Sequence, residues 1–222
     1  VRHMTFSSTA ATCGIPETSP VREDTPTRPI NPYGTSKLMT EMMLRDVATA
    51  HDFNYCALRY FNVAGADPRA RTGQSTAGAT HLIKVAVEAA LGKRDSISVF
   101  GTDYDTPDGT CVRDYIHVSD LAAAHVIALE ALVADPATNH TLNCGYGNGY
   151  SVTEVLDSVD RVTNNKLVRH MEGRRAGDPD SLSSDNKAII ERFGWQPRYD
   201  DLDTIVNHAL GWERQLRDRQ GS

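Results

Sequence analysis

The chain has 222 residues, enough for one and a half ordinary domains and a sizeable core. Its 23 Lys and Arg against 29 Asp and Glu leave a net charge of −6, which excludes a general grip on a nucleic-acid backbone. Hydrophobic residues at 40% and charged residues at 23% exclude a disordered chain, and no apolar run approaches the roughly 20 residues of a membrane-crossing helix. Cys13, Cys56, Cys111 and Cys144 lie far apart without a Cys-x-x-Cys pair, so neither a disulfide framework nor zinc is indicated, and a reducing cytoplasm is the expected setting.

The chain opens inside a strand that leads into the small residues Ser7-Ser8-Thr9-Ala10-Ala11-Thr12. A domain normally begins with a polar, frayed terminus, so this beginning reads as a cut. Residues 15–32 hold five of the ten prolines and form an exposed loop. A helix follows, with Asn31 as cap, Pro32 in its first turn, and Leu38, Met39, Met42, Met43 and Val47 spaced as one apolar face. Tyr55 to Phe61 has the length and apolarity of a buried strand, so strand, helix and strand open the chain as a parallel unit. Residues 67–78 read as a long functional loop, residues 80–91 as a helix closed by Gly92, and Ile97 to Gly101 as a short strand. A strand at 112–118 runs into a helix at 119–132, so rich in Ala, Leu, Ile and Val that it reads as buried, and a strand follows at 141–145. The remainder predicts helices near 152–163, 185–193 and 201–217 with a strand near 167–171.

Tyr33 and Lys37 stand four apart, so a helix projects both from one face and sets the ammonium near the phenol. A phenol serves as a general base near neutrality only if its pKa of about 10 falls by about three units, roughly 4 kcal/mol. One positive charge at about 5 Å supplies roughly 3 kcal/mol of that at an effective dielectric of about 20. Chance alone gives roughly 0.2 such pairs in a chain of this composition, so the context has to carry the motif. That context is a Ser/Thr cluster at a strand end upstream and Arg59-Tyr60-Phe61-Asn62 on the next strand. Thr9 can offer its hydroxyl to a substrate hydroxyl beside Tyr33 at the carboxyl edge of the sheet. No histidine has ligand-like company, so no metal site is expected.

Together, Ser7 to Gly14, Asn31-Pro32-Tyr33-Gly34-Thr35-Ser36-Lys37, and Arg59 to Ala66 resemble the extended short-chain dehydrogenase/reductase group. Phe100-Gly101-Thr102-Asp103-Tyr104, Asp108-Gly109-Thr110 and Val112-Arg113-Asp114-Tyr115-Ile116-His117-Val118 narrow the resemblance to its UDP-glucose 4-epimerase branch, in family order through the whole chain. The resemblance implies an α/β fold: the C-terminal half of a Rossmann-like parallel sheet with an interleaved, smaller, mostly helical substrate domain. Residues 1–66 and 112–150 would be what remains of the dinucleotide domain, and 67–111 and 151–222 the UDP-sugar domain. It implies NAD as cofactor, a UDP-sugar as substrate and a homodimer.

By the same resemblance Tyr33 is the catalytic base, Lys37 its partner and a cofactor ligand, and Thr9 the hydroxyl on the sugar's reacting oxygen. Ser7, Tyr60 and Phe61 fall on cofactor positions. Asn62, His81, Leu82, Ser98, Val99, Phe100, Arg113, Arg175, Asp178 and Leu182 fall on substrate positions. Arg113 and Arg175 also make physical sense, because an acidic chain must supply local cations to a pyrophosphate. Four departures stand out: His81 where asparagine is frequent, Cys13 where tyrosine is frequent, Leu182 where bulk limits the sugar's 2-substituent, and no Gly-x-x-Gly-x-x-Gly turn for the NAD pyrophosphate. A 4,6-dehydratase is disfavoured by Ala10-Ala11, which stand where an Asp-Glu pair would be needed. A 4-epimerase of UDP-glucuronate, a UDP-pentose or UDP-N-acetylglucosamine, and a non-catalytic UDP-sugar-binding fragment, stay open as alternatives.

Overall fold

Seven residues in the middle of the first half, Asn54–Tyr60, form a strand (β2) of which all but the last residue are buried, and the architecture is organised around it. In the computed structural model, which describes residues 1–220, β2 lies between β1 (His3–Thr9) and β6 (His140–Cys144), both parallel to it. Helix α1 (Pro32–Ala50) makes the crossover from β1 to β2, and α3 (Val118–Ala134) packs against β1 and β2. Side chains alternate across β2. Tyr55 and Ala57 face Leu44 of α1 in a small satellite cluster, while Cys56 and Leu58 enter the main core with Leu121, Ala124 and Ala128 of α3.

Beyond β2 the chain forms β3 (Asn62–Ala64), α2 (Leu82–Ala90), β4 (Ile97–Phe100) and β5 (Val112–His117). After β6 come β7 (Gly149–Ser151), α4 (Val152–Thr163), β8 (Arg169–Glu172), β9 (Ser181–Leu182), α5 (Lys187–Phe193) and α6 (Leu202–Gln220). β5 pairs in parallel with β3 and β9 and antiparallel with β7, and β4 pairs in parallel with β8. The α/β class with parallel pairing therefore holds, in three small sheets. The short strands β3, β7 and β9 escape sequence reading, since two or three residues carry no periodicity.

Two helices differ from expectation. The apolar stripe of α1 faces outward: Met39, Met42, Met43 and Val47 are 41–56% exposed, and the buried positions are Gly34, Glu41 and Leu44. Spacing shows that a stripe exists but not which face packs. Likewise α3 is not buried all round, because Val126, Leu129 and Val133 are exposed. The cap of α1 is as expected, with Asn31 Oδ1 accepting from the Gly34 amide at 2.8 Å. Gly34 is required by close approach, since a Cβ there would sit 2.5 Å from the Ala11 carbonyl oxygen.

One knot ties the parts together. The buried Asp114 carboxylate of β5 accepts from the amides of Tyr146, Gly147 and Ser184 at 2.9–3.1 Å and from the Ser184 hydroxyl at 2.7 Å. Burial pushes its pKa up and these hydrogen bonds pull against it. Next to it, Arg113 is in register with Leu182 of β9, so the knot also sets the two site residues that flank it.

Candidate active site

Tyr33 and Lys37 lie on α1 one turn apart, as their spacing requires. The Lys37 ammonium is 5.8 Å from the centre of the Tyr33 ring and 5.1 Å from that of Phe6, and it donates to the Ser7 carbonyl at 3.0 Å. The ammonium is thus pinned between the start of the helix and the end of β1. Tyr33 itself is 52% exposed, so water reaches the phenol and dilutes the lysine's field. Tyr60 is close by: burial raises its phenol's pKa and the neighbouring Tyr33 adds to the rise. The Ser7 hydroxyl is within 2.7 Å of His125 Nε2 on the α3 side.

The rotation of α1 that aims this pair is set by a charge cluster that sequence reading did not single out. Ser8 of β1 and Arg59 of β2 are register partners, and both reach Glu41 of α1. The serine hydroxyl donates at 2.5 Å, and the guanidinium forks onto both carboxylate oxygens at 2.9 and 2.6 Å. Burial works against the charge of Arg59, but Glu41's hydrogen bonds and charge outweigh it and leave the pKa raised. Glu41 stands one further four-residue step along the helix from Tyr33 and Lys37, and that spacing was the signal available in the sequence.

Two adjoining cavities follow. The smaller, about 170 Å³, is lined by Thr9, Tyr60, Phe61 and Leu182. The larger, about 500 Å³, is lined by His81, Leu82, Ser98, Phe100 and Arg175. Asn62, Arg113 and Asp178 line both and so join them. Thr9 Oγ1 accepts from the Ala11 amide at 3.2 Å, which leaves its hydroxyl hydrogen to donate. Arg113 donates to the Pro179 carbonyl at 2.8 Å and lies 3.5 Å from Asp178. The Arg175 guanidinium stacks 3.7 Å from the centre of the Phe100 ring.

Val99 is a correction. Its side chain is 2% exposed and belongs to the main core, because alternate residues of β4 point to opposite faces and Ser98 and Phe100 take the cavity side. The structure adds Arg94, Cys111 and Val152 to the larger cavity and Asn31 to the smaller. These contributions come from segments far apart in the chain, so no local motif announces them. Among the described residues no group of three His, Cys, Asp or Glu side chains is placed to hold a metal, and all four cysteines are free. No helix among the described residues is long and apolar enough to cross a membrane.

The residues present fit one end of a dinucleotide. Lys37 and Tyr33 offer a donor and a phenol at the carboxyl end of β1, where a nicotinamide ribose can be held. No glycine-rich turn in the chain can cradle the pyrophosphate.

Comparison with known proteins gives the chain's relatives. A UDP-glucose 4-epimerase of Azospirillum brasilense is 57% identical over 216 residues, covering 97% of this chain and 62% of the relative. The crystal structure of a UDP-glucose 4-epimerase from Brucella ovis in complex with NAD is 45% identical with a TM-score of 0.90, over 94% of this chain and 64% of that one. A UDP-glucose-4-epimerase from Stenotrophomonas maltophila, solved with bound NAD and formylated UDP-arabinopyranose, matches at 37% identity and a TM-score of 0.95, over 99% of this chain and 65% of that one. The chain thus spans less than two thirds of the length of these relatives. The family model for the NAD dependent epimerase/dehydratase family matches residues 1–145, about two thirds of the chain, and this chain belongs to that family.

Proposed function

We propose that this chain carries the catalytic Tyr–Lys pair and the UDP-sugar cavity of a UDP-glucose 4-epimerase, which interconverts UDP-glucose and UDP-galactose. The observation that carries this is the Lys37 ammonium held over the Tyr33 ring, beside Tyr60 of the small cavity that opens into the arginine-lined one. The relatives' names support the same reading. Bound NAD would supply the hydride acceptor for C4 of the sugar. Tyr33 takes the proton of the 4-hydroxyl, Lys37 stabilises the phenolate by its charge, and the Thr9 hydroxyl holds the reacting oxygen. Arg113 and Arg175 hold the diphosphate by charge, while Thr9, Asn31, Tyr60 and Asn62 of the small cavity offer the hexose uncharged hydrogen-bonding groups. That asymmetry suits inversion, which needs the nucleotide fixed and the sugar free to turn over.

The division into a dinucleotide part (1–66 and 112–150) and a UDP-sugar part (67–111 and 151–222) belongs to this proposal, with β1, β2 and β6 in the first and β4 with β8 in the second. So do a cytoplasmic setting, consistent with four free thiols, and a homodimer, consistent with the exposed methionine face of α1. The test is calorimetric titration of the chain with UDP-glucose, together with an assay of UDP-galactose turnover with NAD added. Binding is expected, and no turnover, because the pyrophosphate cradle is missing from these residues. Failure to bind UDP-glucose refutes the assignment, and turnover by the chain alone refutes the need for the cradle.

A further inference from the structure

Tyr104 lies in the loop that follows β4. Its amide donates to the Gly109 carbonyl at 2.9 Å and its carbonyl accepts from the Thr106 amide at 2.8 Å, so the backbone is fixed on both sides of the ring. The ring edge fills the space that Gly101 leaves, where any Cβ would collide with Cε2, and the Arg174 guanidinium lies 4.2 Å from the ring centre. The residue is 4% exposed, yet among the described residues its hydroxyl has no hydrogen-bond partner. A buried phenol in that state costs stability that a phenylalanine with the same packing would keep. Packing accounts for the ring but not for the oxygen.

The groups around the hydroxyl identify an acceptor. Burial raises the Tyr104 pKa, the charge of Asp178 and then Cys111 add to the rise, and Arg113 and Arg174 pull against it. Cys111 is a neutral thiol, because burial pushes its own pKa up. The two guanidinia can only donate. That leaves Asp178, the one carboxylate among the described residues that lines both cavities. It lies 3.5 Å from Arg113 Nη2. Arg113 Nη1 donates to the Val112 and Pro179 carbonyls, each at 2.8 Å, so the guanidinium is held on that side and Nη2 is left to face a diphosphate. An arriving diphosphate therefore meets the Asp178 carboxylate as a like charge at the same nitrogen.

We infer that Tyr104 is a positioning residue for the UDP-sugar: as the diphosphate takes Arg113 Nη2, the Asp178 carboxylate turns to the Tyr104 hydroxyl, which donates to it. This rests on the UDP-sugar reading above. The exchange moves a hydrogen bond and no proton. It asks little of the backbone, because Arg174 Nε donates to Asp103 at 2.8 Å and the Asp105 amide donates to the Asp180 carboxylate at 3.2 Å, which ties the segment before and after Asp178 to the Tyr104 loop. Only the Asp178 side chain has to change partner. The donor is idle in the empty site and satisfied in the filled one, so its whole worth appears in binding.

The test is calorimetric titration of the chain with UDP-glucose at one pH, beside thermal melts of the empty protein. A hydrogen bond to a charged acceptor is worth roughly ten- to a hundredfold, so Tyr104→Phe should raise the Kd at least about tenfold. The melting temperature of the empty protein should stay or rise, because an unpartnered hydroxyl has been removed. With Asp178→Asn already in place, Tyr104→Phe should change the Kd by no more than about twofold, since the charged acceptor is gone. A Tyr104→Phe affinity within about twofold of wild type, an equal loss with and without the Asp178 charge, or an empty Tyr104→Phe protein that melts several degrees lower would each overturn the inference and leave the UDP-sugar site standing. Absence of UDP-glucose binding by the wild-type chain overturns the UDP-sugar reading and this inference with it.

Discussion

Replacing Glu41 by Gln tests whether the buried ion pair holds α1 in place. The side chains of Glu41 and Arg59 are each 7% exposed, so the pair has little water to fall back on. Glutamine keeps the size and one acceptor for Ser8 or Arg59, but leaves the guanidinium without a counter-charge. Breaking one side of such a buried pair costs about 3–5 kcal/mol. Against a total stability of about 5–15 kcal/mol, and about 2–4 °C per kcal/mol for a chain of this size, the melting temperature should fall by roughly 6–20 °C. Removing both charges together, as Glu41→Leu with Arg59→Met, should cost far less than either charge removed alone, because no charge is stranded. Urea unfolding followed by the fluorescence of Trp195 and Trp212 measures all of these variants on one scale. A single variant within about 1 kcal/mol of wild type, or a double variant as unstable as the two single losses combined, would refute the reasoning.

Three further outcomes follow from other parts of the molecule. Burial, with His208 second, holds His117 near 4, whereas the unfolded chain binds that proton near 6.5; stability is thus complete above about pH 6.5 and falls as pH drops toward 4, by roughly 3 kcal/mol for this group. Thermal melts should show this acid loss, and His117→Asn, which keeps an acceptor for the Ser119 amide, should flatten it; an unchanged slope would reject the assignment. Gly145→Ala places a methyl 2.5 Å from Ser184 Oγ and 2.6 Å from Asp114 Oδ2, inside the knot that fixes β9, and should lose about 2–4 kcal/mol in denaturant; tolerance within 1 kcal/mol would show that the knot can shift. When the chain is joined to a segment that supplies the phosphate-binding turn, Tyr33→Phe should lower UDP-galactose turnover by about 10²–10⁴ while UDP-glucose affinity stays within about twofold, since a proton acceptor is removed and no anchor; equal loss of both would contradict the role of Tyr33.

The elements of the proposed site were legible because their signals are local. Asn31 and Pro32 start α1, a four-residue step aligns Tyr33 with Lys37, and a short apolar run marks β2; each depends on neighbours within two turns of chain. Arg113 and Arg175 could be picked out as the cations a diphosphate needs, and the fold does bring them to one cavity, together with Asp178. Val99 was misjudged because a motif names positions, while the pleat decides which side chains of β4 reach the cavity.

Which face of α1 packs could not be read locally, since the methionine stripe and the Glu41–Leu44 line are both regular along the helix. The choice was made by Ser8 and Arg59, which β1 and β2 bring side by side in register to bind one carboxylate. Likewise only the folded chain shows that Gln74 lies against His81, or that Arg113 and Arg94 are already paired. Residue type and spacing thus determined what chemistry this chain can carry. The tertiary structure decided which charges are already spent on one another and which remain for a ligand, because that depends on distances between segments that the order of residues does not contain.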